Sequence, residues 1–373
     1  MTIRKPSTEH SPMSAFDEYP IHQIGQPVRV VATTDARAYE RYWFTAHDLN
    51  GEFFLAMGIG FYPNLGTADC YAVLSEGTTH THVRAHKTLD EDRSTMEIGP
   101  FRFQMVKPFE EWHLTLASND HGMEVDIRWF DAKRAVFNSI DRSNISGRLP
   151  TYTAGYETFG EIEGTIRVGD RTLILNRERT RGSRDHHWGI RNGVGGPALS
   201  DPVPAHTYVG QWTEFSDFGI WFQRLLLNKG DPRPGAIRIV KQERKLRFDP
   251  VTHHLTGGII YNYLGDGSVK EVHYEQIPNR VVYLRFGMYT GADGRGEPQT
   301  GLYHGSYAGE EVLVGGGTHD ISDPNVRIEI GGFENHLMRA TCDGEETIGV
   351  LEVLNPLAWE YCRDGVNGFA LAD

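Results

Sequence analysis

The sequence predicts an all-β protein of two packed β-rich halves, and three observations carry that expectation. Short segments alternating apolar with polar residues recur along most of the chain, the pattern of strands with two unlike faces. Turn signals separate them at short intervals, and few segments show the helical period for more than two turns. A glycine- and proline-rich stretch, Asn192 to Ala205, interrupts the pattern near mid-chain. At 373 residues the chain has material for two domains or one large all-β domain. The expected division is a polar tail over 1–20, a first β-domain over 21–192 and a second over 193–373, each a barrel or sandwich.

The elements follow in order. Val28 to Val31 is the first apolar run and reads as a strand, and Asp35 to Glu40 as a loop or one helical turn. Asn50-Gly51 stands between two aromatic-rich runs, Arg41–Asp48 and Phe53–Tyr62, a strong short-range signal for a hairpin. Pro63 to Gly66 is the next turn, and Cys70 to Ser75 the next strand. Further strands are expected at Phe101–Val106, Trp112–Leu116 and Met123–Phe130, with Ser118 to Gly122 as a turn. Ala132 to Gly147 reads as a loop, and Tyr156–Val168 with Leu173–Leu175 as a hairpin. In the second half, strands are expected at 207–215, 219–227, 236–240, 258–264, 281–289, 311–315, 326–330 and 349–356. Gly315 to Gly317 reads as a turn.

Composition narrows the function. Charged residues make up 23% and hydrophobic ones 39%, an ordinary globular balance, and 16 Tyr, 18 Phe and 7 Trp suit both a β-core and an apolar pocket. A formal charge of −13 with no basic run argues against a nucleic-acid partner. Cys70, Cys342 and Cys362 are widely spaced, which points to a reducing compartment rather than a disulfide framework or a Cys-based zinc site. With no apolar leader and no apolar run of about 18 residues, a soluble cytoplasmic protein without a membrane span is expected. No strand–turn–helix unit carries a phosphate-binding glycine pattern, so no nucleotide cofactor is called for.

Two stretches offer chemistry. On a strand spanning Thr78 to Lys87, His80, His82, Arg84 and His86 would share one face. Such histidines can chelate a metal, although Arg84 among them would repel a dication, and a solvated face is the plainer reading. The second stretch, Gly182 to Arg191, packs Arg184, Asp185, His186, His187, Trp188 and Arg191 together. Acid, imidazole, fixed cations and an aromatic face suit an active site, whereas a buried plug of this kind would need a partner for every polar head.

The pattern Arg184-Asp185-His186-His187-Trp188-Gly189-Ile190-Arg191 resembles the signature of the AttH-like superfamily. That group includes the carotenoid 1,2-hydratases (hydroxyneurosporene synthases) and lipocalin-like proteins that catalyse cyclisations. The stretch from Arg41 to Asn64 is similar to an uncharacterised branch of the same superfamily. The resemblance implies two lipocalin-like β-domains with a site where they meet, and points to His186 and Trp188 as active-site residues. The hydratases also use a Tyr-x-Asp pair downstream, which Trp212 to Arg224 lacks. Acid–base chemistry on another apolar substrate is therefore the expectation.

Such chemistry is hydration, dehydration, cyclisation or double-bond migration on a lipophilic small molecule. Asp185 or His186 is the candidate proton donor, and Trp188 the aromatic face that stabilises a cationic transition state. Arg184 or Arg191 would orient Asp185, lowering its pKa and favouring a base role instead, so Asp185 stands as acid, base or orienter. Trp212, Trp221 and Gln223 are candidate substrate contacts, although core is the plainer reading of the two tryptophans. The other readings are a non-catalytic lipophile carrier and a metalloenzyme built on His80, His82 and His86. Substrate identity and oligomeric state are left open.

Overall fold

The computed structural model describes residues 15–90, 92–137, 141–145, 148–196, 208–233, 236–291, 294–354 and 366–370. Strands β1 (Ala38–Asp48), β2 (Phe53–Tyr62), β3 (Thr67–Glu76) and β4 (Thr79–Thr88) form one meander. A second comprises β5 (Glu97–Ile98), β6 (Phe101–Lys107), β7 (Glu111–Leu116) and β8 (Met123–Asp131). Short strands β9 (Val136–Phe137) and β10 (Asp141–Ile145) precede the long β11 (Arg148–Val168). After β12 (Arg171–Leu175), β13 (Thr180–Ile190) inserts between β1 and β11.

The later strands are β14 (Tyr208–Glu214), β15 (Phe218–Trp221), β16 (Arg224–Leu227), β17 (Ile237–Phe248), β18 (Leu255–Leu264) and β19 (Val269–Tyr283). They continue with β20 (Leu313–Asp320), helix α1 (Pro324–Ile330), β21 (Phe333–Cys342), β22 (Glu345–Leu354) and β23 (Val366–Ala370). The first sheet curls into a half-barrel in the order β20-β4-β3-β2-β1-β13-β11-β8-β7-β6-β5, with β9, β10 and β12 paired to β11. Eight strands of the second half close into a barrel, where β16 pairs with both β15 and β17, and β23 adds outside β17. The expected all-β pair of packed domains is thus the architecture observed.

Three apolar cores explain the sequence pattern. One fills the half-barrel around Phe44, Phe103, Trp112 and Trp129. Another lies between the sheets, where Trp43, Phe54, Tyr71, Tyr283 and Phe286 meet. The third fills the closed barrel around Leu246, Ile260, Val272 and Leu351. Strand β2 has the half-barrel core on one face and the intersheet core on the other, so every residue from Phe53 to Tyr62 is buried. That double burial is why its sequence runs apolar without a break. The Asn50-Gly51 hairpin forms as expected, with Gly51 at φ 73, where a side chain would be strained.

Several local expectations give way to tertiary context. Val28–Val31 is not a strand, and β1 begins inside the stretch read as a loop or turn. Val326–Ile330 lies in α1, capped by Asp323, whose carboxylate accepts from the Asn325 N–H at 2.8 Å, with Pro324 at the first turn. Five residues are too few to separate the two periods. The run 219–227 is two strands, broken where Phe222 takes φ 46. The strand expected over 281–289 is the end of β19, followed by a 3-10 turn at Leu284–Gly287. Strand β21 was not anticipated, because Glu334, Asn335 and His336 break its apolar pattern although all three are buried.

Gly315 to Gly317 is no turn but the middle of β20, paired with β4. A Cβ at Gly315 would fall 2.3 Å from Arg84 Nη1, so the bare backbone makes room for that guanidinium. The interruption at 192–205 begins with a Gly193–Gly196 bridge, and its remainder from 197 lies outside the described residues.

Candidate functional site

The central motif lies in β13, and strand alternation divides it. Arg184, His186 and Trp188 turn into the half-barrel, while Asp185 and His187 face the second sheet. Pairing with β1 sets Tyr42 opposite His186 and Glu40 opposite Trp188, and pairing with β11 sets Tyr156 opposite His186. These cross-strand neighbours lie close enough for side chains to meet.

A cavity of about 520 Å³ opens beside them. Tyr42, Trp112, Tyr156, His186 and Trp188 form its wall, and Met105, Pro108, Phe109, Ala135 and Phe137 complete it. Among the described residues that line it, none but the His186 imidazole can carry a charge at neutral pH. The His186 ring stacks on Tyr42 at 4.0 Å and lies 5.0 Å from the Trp188 ring and 5.4 Å from that of Tyr156. Its Nε2–H donates to Glu40 Oε1 at 2.9 Å. Burial would raise the Glu40 carboxyl, but the hydrogen bond from His186, with the Arg93 charge beyond, holds it below its ordinary value.

Behind this wall Arg184 is fully buried and forks onto Asp131, with Nε–Oδ1 at 2.7 Å and Nη2–Oδ2 at 2.5 Å. Trp129 Nε1 donates to the same carboxylate at 2.7 Å. The remaining arm, Arg184 Nη1, points to the Tyr156 hydroxyl at 3.5 Å. Burial raises the Tyr156 phenol above its usual pKa, and Arg184 opposes this only in part, so Tyr156 keeps its proton.

The other expected residues lie elsewhere. Asp185 accepts from Arg41 Nη2 at 3.0 Å, with His187 Nδ1 at 3.9 Å, on the side of the sheet away from the cavity. Arg184 therefore cannot orient Asp185, since the two leave β13 in opposite directions. Arg191 sits over the Tyr39 and Tyr289 rings, each at 5.5 Å. Trp212 and Trp221 pack edge to face on each other at 5.2 Å, with Trp43 beside both, inside the intersheet core rather than on the cavity. Gln223 is exposed in the tight turn between β15 and β16. The site expected where the domains meet is thus not where the cavity lies.

The histidine row is a further correction. His80, His82, Arg84 and His86 do share a face, but that face is buried against the second half of the chain, not solvated. His82 stacks on Phe286 at 4.0 Å, and His80 Nε2 accepts the Tyr283 N–H at 3.1 Å. Among the described residues, no three of His, Cys, Asp and Glu gather as metal ligands would. Sequence reasoning missed Glu40, Tyr42, Asp131 and Tyr156. The one local trace was Glu40 itself, a carboxylate inside an aromatic strand.

The model of a family described as a family of unknown function (DUF8625) matches residues 13–220. No curated protein matches the chain. Among solved structures, an AttH protein from Nitrosomonas europaea is similar over 90% of this chain and 98% of its own, at 11% identity and TM-score 0.51. CghA, crystallised with Sch210972, is similar over 86% of this chain and 89% of its own, at 9% identity and TM-score 0.44. Kievitone hydratase from Nectria haematococca covers 87% of this chain and 92% of its own, at 9% identity and TM-score 0.41. The likeness to the AttH protein is one of fold, and it is the fold the central motif implied.

Proposed function

The chain belongs to a family of unknown function (DUF8625), and from that premise we propose an acid–base enzyme acting on a lipophilic small molecule in the aromatic cavity of the half-barrel. The observation that carries this reading is the His186–Glu40 hydrogen bond of 2.9 Å beside a cavity whose other described lining residues are uncharged. A carboxylate acceptor keeps the proton on Nε2, which leaves the Nδ1 lone pair as the base. Tyr156, kept protonated by burial, is the matching acid.

In the elimination direction, His186 takes a proton from a substrate carbon, and the C–H electrons become the new double bond. The neighbouring C–O bond breaks, and its oxygen leaves as water with the proton from Tyr156. Hydration is the same path reversed, and double-bond migration returns the proton to a different carbon. Positive charge developing on the substrate is stabilised by the Trp188 face, a contact contributing about 2 kcal/mol in a dry site. Asp185 lies across the sheet with Arg41, so its part is to hold β1 and β13 together.

The test uses deuterium. Lipophile retained through purification, or extracted and added back, is incubated with the protein in deuterated buffer and followed by mass spectrometry. Wild-type protein is expected to install deuterium, and His186→Ala to lose about 100- to 10,000-fold in rate, the usual contribution of a positioned base. Tyr156→Phe is expected to show a smaller loss with the ligand still bound. A ligand that stays bound but never exchanges or changes mass would mark a carrier and defeat the proposal.

A further inference from the structure

A second cavity, of about 360 Å³, adjoins the aromatic one, and Tyr42 and Met105 line both. Glu40 belongs to the second and His186 to the first, so their hydrogen bond crosses the boundary. The two compartments differ in chemistry. Among the described residues the aromatic one has no guanidinium or carboxylate on its wall, whereas the second carries Arg29 and Arg93 with the carboxylate of Glu40. Its apolar lining comes from Ile21, Val28, Phe61 and Met96.

The charges there are unevenly committed. Glu40 Oε1 accepts from His186, while Glu40 Oε2 lies 3.9 Å from Arg93 Nη2, too far for a hydrogen bond. Asp92, the acid next to Arg93 in sequence, accepts instead from the Ser94 N–H at 2.9 Å and the Ser94 hydroxyl at 2.6 Å. The Arg93 side chain is only 20% exposed. A planar donor fork in a half-buried compartment, with Glu40 beyond hydrogen-bond reach and no nearer carboxylate among the described residues, suits an anionic group supplied by a ligand.

We propose that the two cavities form one elongated substrate site, in which Arg93 binds an organic anion, a carboxylate or its equivalent, at one end of a substrate whose apolar body fills the aromatic compartment. This rests on the reading of the aromatic cavity as the substrate site. The substrate is then an amphiphile spanning Tyr42 and Met105, and its middle passes His186. Arg93 sets specificity and takes no proton.

The test compares two fluorescent probes that share a ring system, anilinonaphthalene sulfonate and the uncharged N-phenylnaphthylamine, at low salt. Wild-type protein is expected to bind the sulfonate about tenfold more tightly, the scale of one charge-assisted hydrogen bond. Arg93→Gln is expected to abolish that preference without weakening the uncharged probe, and Arg93→Lys to restore part of it. Ala135→Trp, which fills the aromatic compartment, is expected to weaken both probes. Equal binding of the two probes by wild-type protein, or a preference that survives Arg93→Gln, overturns the anion site and leaves the aromatic one standing. An uncharged probe that does not bind, or binds regardless of Ala135→Trp, overturns both.

Discussion

Arg184→Met on its own is expected to destabilise the half-barrel by about 3–5 kcal/mol, the cost of leaving one member of a buried ion pair without the other. The side chains of Arg184 and Asp131 are 0% and 1% exposed, so no water takes the place of the lost guanidinium. Asp131 would keep only the Trp129 indole as a strong donor. The double variant Arg184→Met, Asp131→Leu removes both charges and is expected to regain most of the loss, since an apolar pair of similar volume costs far less than a stranded carboxylate. Denaturant unfolding followed by tryptophan fluorescence reads both. If Arg184→Met unfolds at the wild-type midpoint, or the double variant is no better than the single, the pair is not what secures this wall. The same single change also removes the donor at Tyr156, so activity should fall beyond what instability explains.

Acid lability is the second large effect. Burial above all pushes the His47 and His254 imidazoles down to about 4, His80 to about 3 and His82 to about 2. Around His80 and His82, His319 and Arg84 add to the depression, and burial also lowers His86, His304, His319 and His336. Asp69 and Glu297 face the row and counter the effect in part at His86.

The sign follows from proton counting. In the unfolded chain these histidines take protons below about pH 6.5, whereas in the fold they stay neutral to much lower pH. Stability is therefore full above about pH 6.5 and falls as pH drops toward 4, each such group adding a slope of about 1.4 kcal/mol per pH unit. Unfolding midpoints measured from pH 7.5 to 4.5 should be level at first and then fall steeply. A His82→Leu variant should show a slope smaller by one proton. Midpoints that stay level down to pH 4.5 would mean the imidazoles are not buried neutral.

Much of the fold was legible because its determinants are local. Asn50-Gly51 between aromatic runs specifies a hairpin through the backbone conformation that glycine alone adopts without strain. Alternation in Met123–Asp131 specifies a strand with one buried face, and the structure keeps that pattern throughout. Where the local signal was ambiguous, packing decided. The short run Val326–Ile330 fits either period, and its cap and proline made it a helix. The glycines of β20 look like a turn until Arg84 and His82 of the neighbouring strand occupy the space side chains would take.

The candidate site divides in the same way. The crowding of titratable and aromatic residues into Gly182–Arg191 is plain in the sequence alone. That the stretch is a strand, and which of its two faces meets a cavity, follows from long-range packing. His186 and Trp188 reach it, while Asp185 is turned toward Arg41. The same packing also decided that His186 would meet Glu40, a residue 146 positions earlier in the chain. Side-chain alternation is a property of one strand's backbone and can be read from its sequence. Register between β1, β13 and β11 is set by long-range pairing and by the cores on either face, and no local pattern encodes it.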